Sequence, residues 1–263
     1  MVSPALTIHR DPQVYLVGRQ SIDDQGLASF LSDHGVDRWS TDTDVAGEKL
    51  VEIAGRVCYM SFSRPRPGGN RDYLGHILEV GHGSVLEHAV FNLIITGVSR
   101  SFTHELIRHR AGFGYSQLSQ RFVDEGECAF VEPDAIAGDP ESHRVWLDSV
   151  QSCQSAYRTL ADGLAAKFSG IGDKTLRRKK AREAARSVLP NATETKIFVT
   201  ANARALRHFI EMRGDSAADV EIRKVAIAVL KVLQEDSPNI FGDYIVIDLP
   251  TGGEMASTPH RKV

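Results

Sequence analysis

Two apolar, β-branched runs limit what this chain can fold into. AVFNLIIT (Ala89–Thr96) and TKIFVT (Thr195–Thr200) each read as a strand. Each passes within a few residues into helical spacing, over Ser101–Arg110 and Ala203–Arg213. QVYLV (Gln13–Val17) and Tyr244–Leu249 add two more strands. Helical spacing covers Ile22–Leu31, Gly47–Tyr59 (Leu50, Ile53, Ala54, Val57), Asp72–Val80 and Thr175–Leu189, and Pro140–Phe168 reads as one long helix or a pair. Ser216–Gln234 repeats Ile222, Ala226, Val229 and Leu233, the pattern of a buried helix. Strands and helices do not alternate strictly enough for a doubly wound sheet. The expected fold is α+β, a single mixed domain over 1–263 with a central, largely antiparallel sheet flanked by long helices. Ser61–Arg71 reads as a Pro/Gly/Arg loop, Gly81–Ser84 as a turn, and residues 1–12 and 251–263 as flexible tails.

With 263 residues the chain can bury a substantial core. Its 31 Lys and Arg against 34 Asp and Glu give a formal charge of −3, which argues against a general nucleic-acid binder. Cys58, Cys128 and Cys153 lack the paired spacing of a zinc or redox motif and suit a reducing compartment. Cys58 falls in an apolar helical pattern and reads as buried. None of the three adjoins a histidine in sequence, so a thiolate nucleophile is not expected. No apolar run reaches membrane-spanning length and the N-terminus has no signal core, so the expected setting is cytoplasmic.

Against that acidic background, HELIRHRAGFGYSQLSQRF (His104–Phe122) stands apart. Arg108, His109 and Arg110 either complement a helix C-terminus or clamp an anion. Gly112 and Gly114 let backbone approach a ligand closely. Ser116, Gln117, Ser119 and Gln120 offer hydroxyl and amide groups to a flat heterocycle, and Arg121 adds a second cation. A second constellation, NARALRHFIEMR (Asn202–Arg213), follows a strand. Asn202 stands where an N-cap would, and Arg204 and His208 share a helix face. In GHGSVLEH (Gly81–His88), His82, Glu87 and His88 lack zinc-hydrolase spacing, and no metal site is expected. The rival to a ligand-binding reading is a nucleic-acid face on KTLRRKKAREAAR (Lys174–Arg186), seven cations against one glutamate.

These motifs, in this order, resemble the flavin-dependent thymidylate synthases, whose signature is Arg-His-Arg, seven or eight residues, then Ser. Here Arg108-His109-Arg110 is followed by eight residues and Ser119. The likeness takes in GHGSVLEH, HELIRHR, AARSVLPNATETK and the NAR…MR helix, from about Gly47 to Leu233. It implies reductive methylation of deoxyuridylate (dUMP) to thymidylate, a methyl transfer. 5,10-Methylenetetrahydrofolate supplies the carbon, reduced FAD the hydride, and NADPH reloads the flavin. No enzyme nucleophile is involved. Ser84, Arg108, His109, Arg110, Gln117, Asn202, Ala203, Arg204 and His208 match FAD-binding positions. Glu105, Leu106, Ile107, Arg108, Gln117, Leu118, Ser119, Gln120, Arg121, Arg186 and Arg213 match the dUMP site. Arg213 corresponds to the arginine set against the uracil ring, which favours its ionised form and makes it the expected catalytic residue. His82 and His109 match histidines near the folate. A homotetramer with active sites between subunits is implied, with small-molecule partners and neither nucleic acid nor membrane. Many members have seven residues before the signature serine, and Phe122 replaces the usual tyrosine.

Overall fold

The structure is a computed structural model describing residues 6–250 and 252–263. It is α+β, as the patterning predicts. The strands are β1 (Ile8–His9), β2 (Gln13–Gly18), β3 (Val90–Ser99), β4 (Phe113–Gln117), β5 (Phe130–Val131), β6 (Glu194–Asn202), β7 (Ile245–Asp248) and β8 (Glu254–Ser257). A four-stranded, largely antiparallel sheet has the order β2-β3-β6-β4. β1 pairs with β5 in parallel, and β7 pairs with β8 antiparallel. The chain divides into two compact units. The first comprises residues 1–13, 95–108 and 116–197; the second comprises 14–94, 109–115 and 198–263.

In the first unit, α4 (Arg100–Leu106) starts where Ser99 Oγ accepts from Phe102 N. It stops short of the expected Arg110. Ile107 N donates to Thr103 O, Arg108 N donates to Glu105 O, and the last turn tightens into i→i+3 bonding. Arg108, His109 and Arg110 therefore lie beyond the helix. α6 (Pro140–Lys167) is one continuous helix of 28 residues, started by proline in its first turn and an Asp139 cap. Its Val150, Gln154 and Tyr157 form the buried stripe, against which Phe130 is fully covered. α7 (Lys174–Ala185) is the basic helix, capped by Asp173 and buried through Ala181 and Ala185.

In the second unit, α9 (Val220–Asp236) carries the expected stripe, with Ile222, Ala226, Val229 and Leu233 at most 1% exposed. α2 (Ala46–Tyr59), α3 (Gly69–Glu79) and α8 (Ala203–Arg213) complete its main helices. Cys58 is exposed on α2 rather than buried, because the buried face of the helix runs through Glu48, Val51, Glu52, Gly55 and Arg56, and Val57 of the expected stripe is exposed with it. The expected C-terminal tail carries regular structure over 254–257. Glu254–Ser257 pairs along all of β7, and Ala256 N donates to Gly214 O. At the other end β1 lies within the expected tail, paired with Phe130–Val131, while residues 1–5 and Thr251 lie outside the described residues.

Arg207, 2% exposed, anchors this end of the chain. Its terminal nitrogens donate to Asp243 Oδ1 and Oδ2 at 2.6 and 2.7 Å and to the Ile240 carbonyl at 2.7 Å, and its Cζ lies 4.8 Å from the Tyr244 ring centre. Burial alone would raise the Asp243 pKa. The Arg207 and Thr258 hydrogen bonds reverse that and hold the carboxyl below its ordinary value. Asp243→Asn leaves a buried guanidinium without its counter-charge. It should cost about 3–5 kcal/mol, read as a lower denaturant midpoint at unchanged m-value. A loss under about 1 kcal/mol would show that the pair is not desolvated.

Candidate functional site

The residues singled out from sequence fall into two groups, one in each unit. In the second unit the group gathers on His109. The chain leaves α4, turns through Phe113 N donating to Arg110 O, and enters β4. Gly112 takes φ +74°, and a Cβ there would come within 2.8 Å of the Asn202 amide nitrogen and the Ala205 Cβ. Only glycine meets both demands without rearrangement. Asn202 is the N-cap of α8, its Oδ1 accepting from Ala205 N at 2.8 Å, while its own N–H donates to Gly112 O.

The His109 backbone is held by the Tyr115 hydroxyl, which donates to its carbonyl at 2.6 Å. Its ring meets Phe209 edge-on at 5.3 Å between centroids, and Phe113 and His208 at 6.1 Å each. Arg213 Nε donates to His109 Nε2 at 3.1 Å. An Nε2 that accepts has no proton, so the neutral ring carries its hydrogen on Nδ1. Burial, then the positive charge of Arg213, then His208 push the His109 pKa down to about 4. The imidazole is therefore neutral at physiological pH. Ser84, Arg110, Arg204 and His208 are exposed, and Arg204 bridges Glu87 at 2.6 Å. Ala203 is fully buried, so it can offer a ligand only its backbone. His82 is exposed and stacks on Tyr59 at 6.2 Å.

The first unit holds the other group. Gln117 Nε2 donates to Thr103 Oγ1 and Thr195 Oγ1, at 3.1 and 3.3 Å, and Ser119 Oγ accepts from Arg121 N. Leu118 N donates to Lys196 O, and its carbonyl accepts from Arg100 at 2.8 Å. Glu105 is half-buried, Ile107 and Arg108 are exposed, and the Leu106 side chain packs in the core. Arg186 is exposed in a short 3₁₀ turn after α7, and Arg121 bridges Glu183 at 3.0 Å. Four buried polar atoms here have no partner among the described residues: Arg100 Nε, Gln120 Nε2, Arg121 Nε and Glu125 Oε1. Such orphans are rare in folded proteins, where water, an ion or a polar ligand completes the bonding.

Arg100 and Glu125 were not singled out from sequence. A half-buried arginine interacting with a buried glutamate 25 positions on has no local spacing signal. Tyr115 was not singled out either. Among the described residues no three metal-ligating side chains converge. Burial pushes the Cys128 thiol up to about 11, the wrong direction for a nucleophile. On α7, Arg182 donates to Phe122 O and Asp124 Oδ2, both at 2.7 Å, and Lys179 lies over the Phe122 ring. Part of the basic helix is thus committed to its own unit.

The His109 pKa is lower folded (about 4) than unfolded (6.5), so between these values the unfolded chain binds the extra proton. The stability that the neutral ring contributes is complete above pH 6.5 and disappears as pH falls to 4. His109→Gln, which cannot titrate, should give a shallower loss of unfolding free energy across that window in urea titrations. Equal slopes for variant and parent would contradict the assignment.

Residues 41–239 match the family described as thymidylate synthase complementing protein. The flavin-dependent thymidylate synthase of Mycobacteroides abscessus is 52% identical over 232 residues, 88% of this chain and 92% of that protein. The protein of the same name from Mycolicibacterium gilvum is 52% identical over 223 residues, 84% of this chain and 88% of its own. Among solved structures, a UMP/dUMP methylase PolB from Streptomyces cacaoi bound with 5-Br dUMP superposes with a TM-score of 0.62. It covers 90% of this chain and 96% of its own at 22% identity, a likeness of fold. The match over residues 41–239 and the half-identical relatives place the chain in the thymidylate synthase complementing protein family.

Proposed function

We propose that the protein is a flavin-dependent thymidylate synthase: a methyltransferase that converts dUMP to thymidylate with methylenetetrahydrofolate and releases tetrahydrofolate. Supporting this reading most directly is the cluster of orphaned donors in the first unit, Arg100 Nε, Gln120 Nε2 and Arg121 Nε, beside Ser119 and Arg186. These are guanidinium, amide and hydroxyl groups, the chemistry that suits a phosphate and a pyrimidine. Glu105, Ile107, Arg108, Gln117 and Leu118 are assigned to the same ligand, with Leu106 through its backbone.

FAD fits the donor set of the second unit. Ser84, Arg110, Arg204 and His208 offer exposed donors, the Asn202 amide nitrogen remains beside its spent oxygen, and His109, Phe113 and Phe209 form an aromatic wall. Arg108, Gln117 and Ala203 are assigned to it by the resemblance. When bound, FAD supplies the hydride that turns the transferred methylene into a methyl group. The chain's own part is binding, orientation and electrostatics. Arg213 would favour charge on the uracil oxygens, and one such donor in a dry site is worth about 3–4 kcal/mol. His82 and the neutral His109 would flank the folate. NADPH as reductant, a homotetramer with shared active sites and a cytoplasmic setting belong to the same proposal, as does a single functional domain. Among the described residues no helix is long and apolar enough to cross a membrane.

The test is tritium release from C5-labelled dUMP with FAD, NADPH and methylenetetrahydrofolate present. Release should require all three. Arg213→Lys keeps the charge and loses the planar fork, so it should retain part of dUMP binding and lose about 10–100-fold in rate. Arg213→Ala should lose both. Cys58→Ser should turn over like the parent, since a covalent enzyme thiol has no place in this chemistry. No release from the parent, or parental rates in Arg213→Ala, would overturn the reading.

A further inference from the structure

Arg213 reaches its place by holding on to another side chain. Its Nε–H, the inner donor of the guanidinium, is given to His109 Nε2 at 3.1 Å. That bond fixes the plane of the guanidinium about its own stem. The Nη edge, with four more N–H donors, is then the edge that would face a pyrimidine. His109 is itself fixed at two points. Tyr115 donates to its carbonyl at 2.6 Å, and Phe209, Phe113 and His208 surround its ring. An arginine side chain has four rotatable bonds and a large rotamer entropy to lose, so an acceptor at Nε removes much of that freedom before substrate arrives.

From this geometry we infer that His109 is a positioning residue for Arg213: a neutral, Nδ1-protonated imidazole whose Nε2 aims the guanidinium at the substrate, with Tyr115 setting the ring's height. The inference rests on the reading of Arg213 as the residue against the uracil. It gives His109 a task separate from contact with cofactor or folate. The charged and titratable groups facing the ring are Arg213 and His208 from α8 and Tyr115 from β4. The two α8 groups oppose a proton on the ring, and burial, which raises the Tyr115 pKa, keeps that phenol neutral.

Two measurements test it. In the ligand-free protein, ¹⁵N chemical shifts of the His109 ring at pH 7.5 should show Nε2 unprotonated, and Arg213→Ala should change that tautomer balance. A ring protonated at Nε2 overturns the inference whatever the activity. In the flavin-loaded enzyme, with saturating added FAD, His109→Leu should lower kcat about 10–100-fold and change KM for dUMP much less. His109→Gln, whose Oε1 can accept from Arg213, should recover to within about 3-fold of the parent. The double variant His109→Leu/Arg213→Ala should be no slower than Arg213→Ala alone, because both changes remove one device. Losses that multiply, or a glutamine as damaging as leucine, would show that His109 serves the cofactor independently of Arg213. Should the leucine variant fail to fold, the glutamine variant combined with Arg213→Ala decides by the same comparison. A parent enzyme that releases no tritium sinks the functional reading and leaves the tautomer measurement standing.

Discussion

A charged arginine bonded to a histidine demands a ring without its second proton, and the packing around His109 supplies one. Burial comes first, because transfer from water penalises imidazolium more than imidazole. The positive charge of Arg213 adds to it, so the bond helps maintain the state it needs. The aromatic wall has the same effect: Phe209 and Phe113 offer no acceptor that could stabilise a cation as water would. Around this contact the sharp turn at Gly112, the Asn202 cap and the start of α8 are tied by two hydrogen bonds, Asn202 N to Gly112 O and Ala205 N to Asn202 Oδ1. The positions of His109 and Arg213 are therefore set from both sides of one turn.

The same unit buries several other ions, each with its partner supplied. Arg56 donates to Glu52 at 2.8 Å and lies over the Tyr73 ring at 4.8 Å. Glu48, 1% exposed, has its pKa raised by burial against bonds from Thr43 and Asn239 that pull it down. Arg207 with Asp243 is a further pair. Such pairs give little net stability over apolar replacements but penalise any rearrangement that separates them. Three of these networks touch α2, α3 or α8, and α8 carries Arg204, His208 and Arg213. Rigidity in that helix follows from buried charge as much as from its apolar stripe.

Long periodic segments were legible in the sequence, and short or polar ones were not. α9 showed itself through four apolar residues at helical spacing, and β3 and β6 through β-branched runs. β4 gives no strand signal in the sequence, because FGYSQ is polar and interrupted. It is the last strand in the sheet order, where one neighbour suffices and β-propensity counts for little. β1 and β5 have two residues each, too few for any period. The tail's strand, β8, depends on β7 and on Gly214 rather than on its own composition. Of the site, the motif residues could be found from their order, but Tyr115, Arg100 and Glu125 could not. Their significance comes from contacts made across the fold.

The turn before β4 has a consequence for how this motif tolerates changes of length. Along a strand, side chains alternate between faces, so one residue added inside β4 would reverse every position up to the insertion. The bend from Arg110 to Phe113, with Gly112 at φ +74°, precedes the strand and has no alternation to lose. The eighth residue between Arg110 and Ser119 can be taken up there. Counted backward from Ser119, Tyr115 then keeps its face of the strand. Insertions and deletions in related chains should gather between the second arginine and this phenylalanine, and comparisons of such chains should be aligned from the serine.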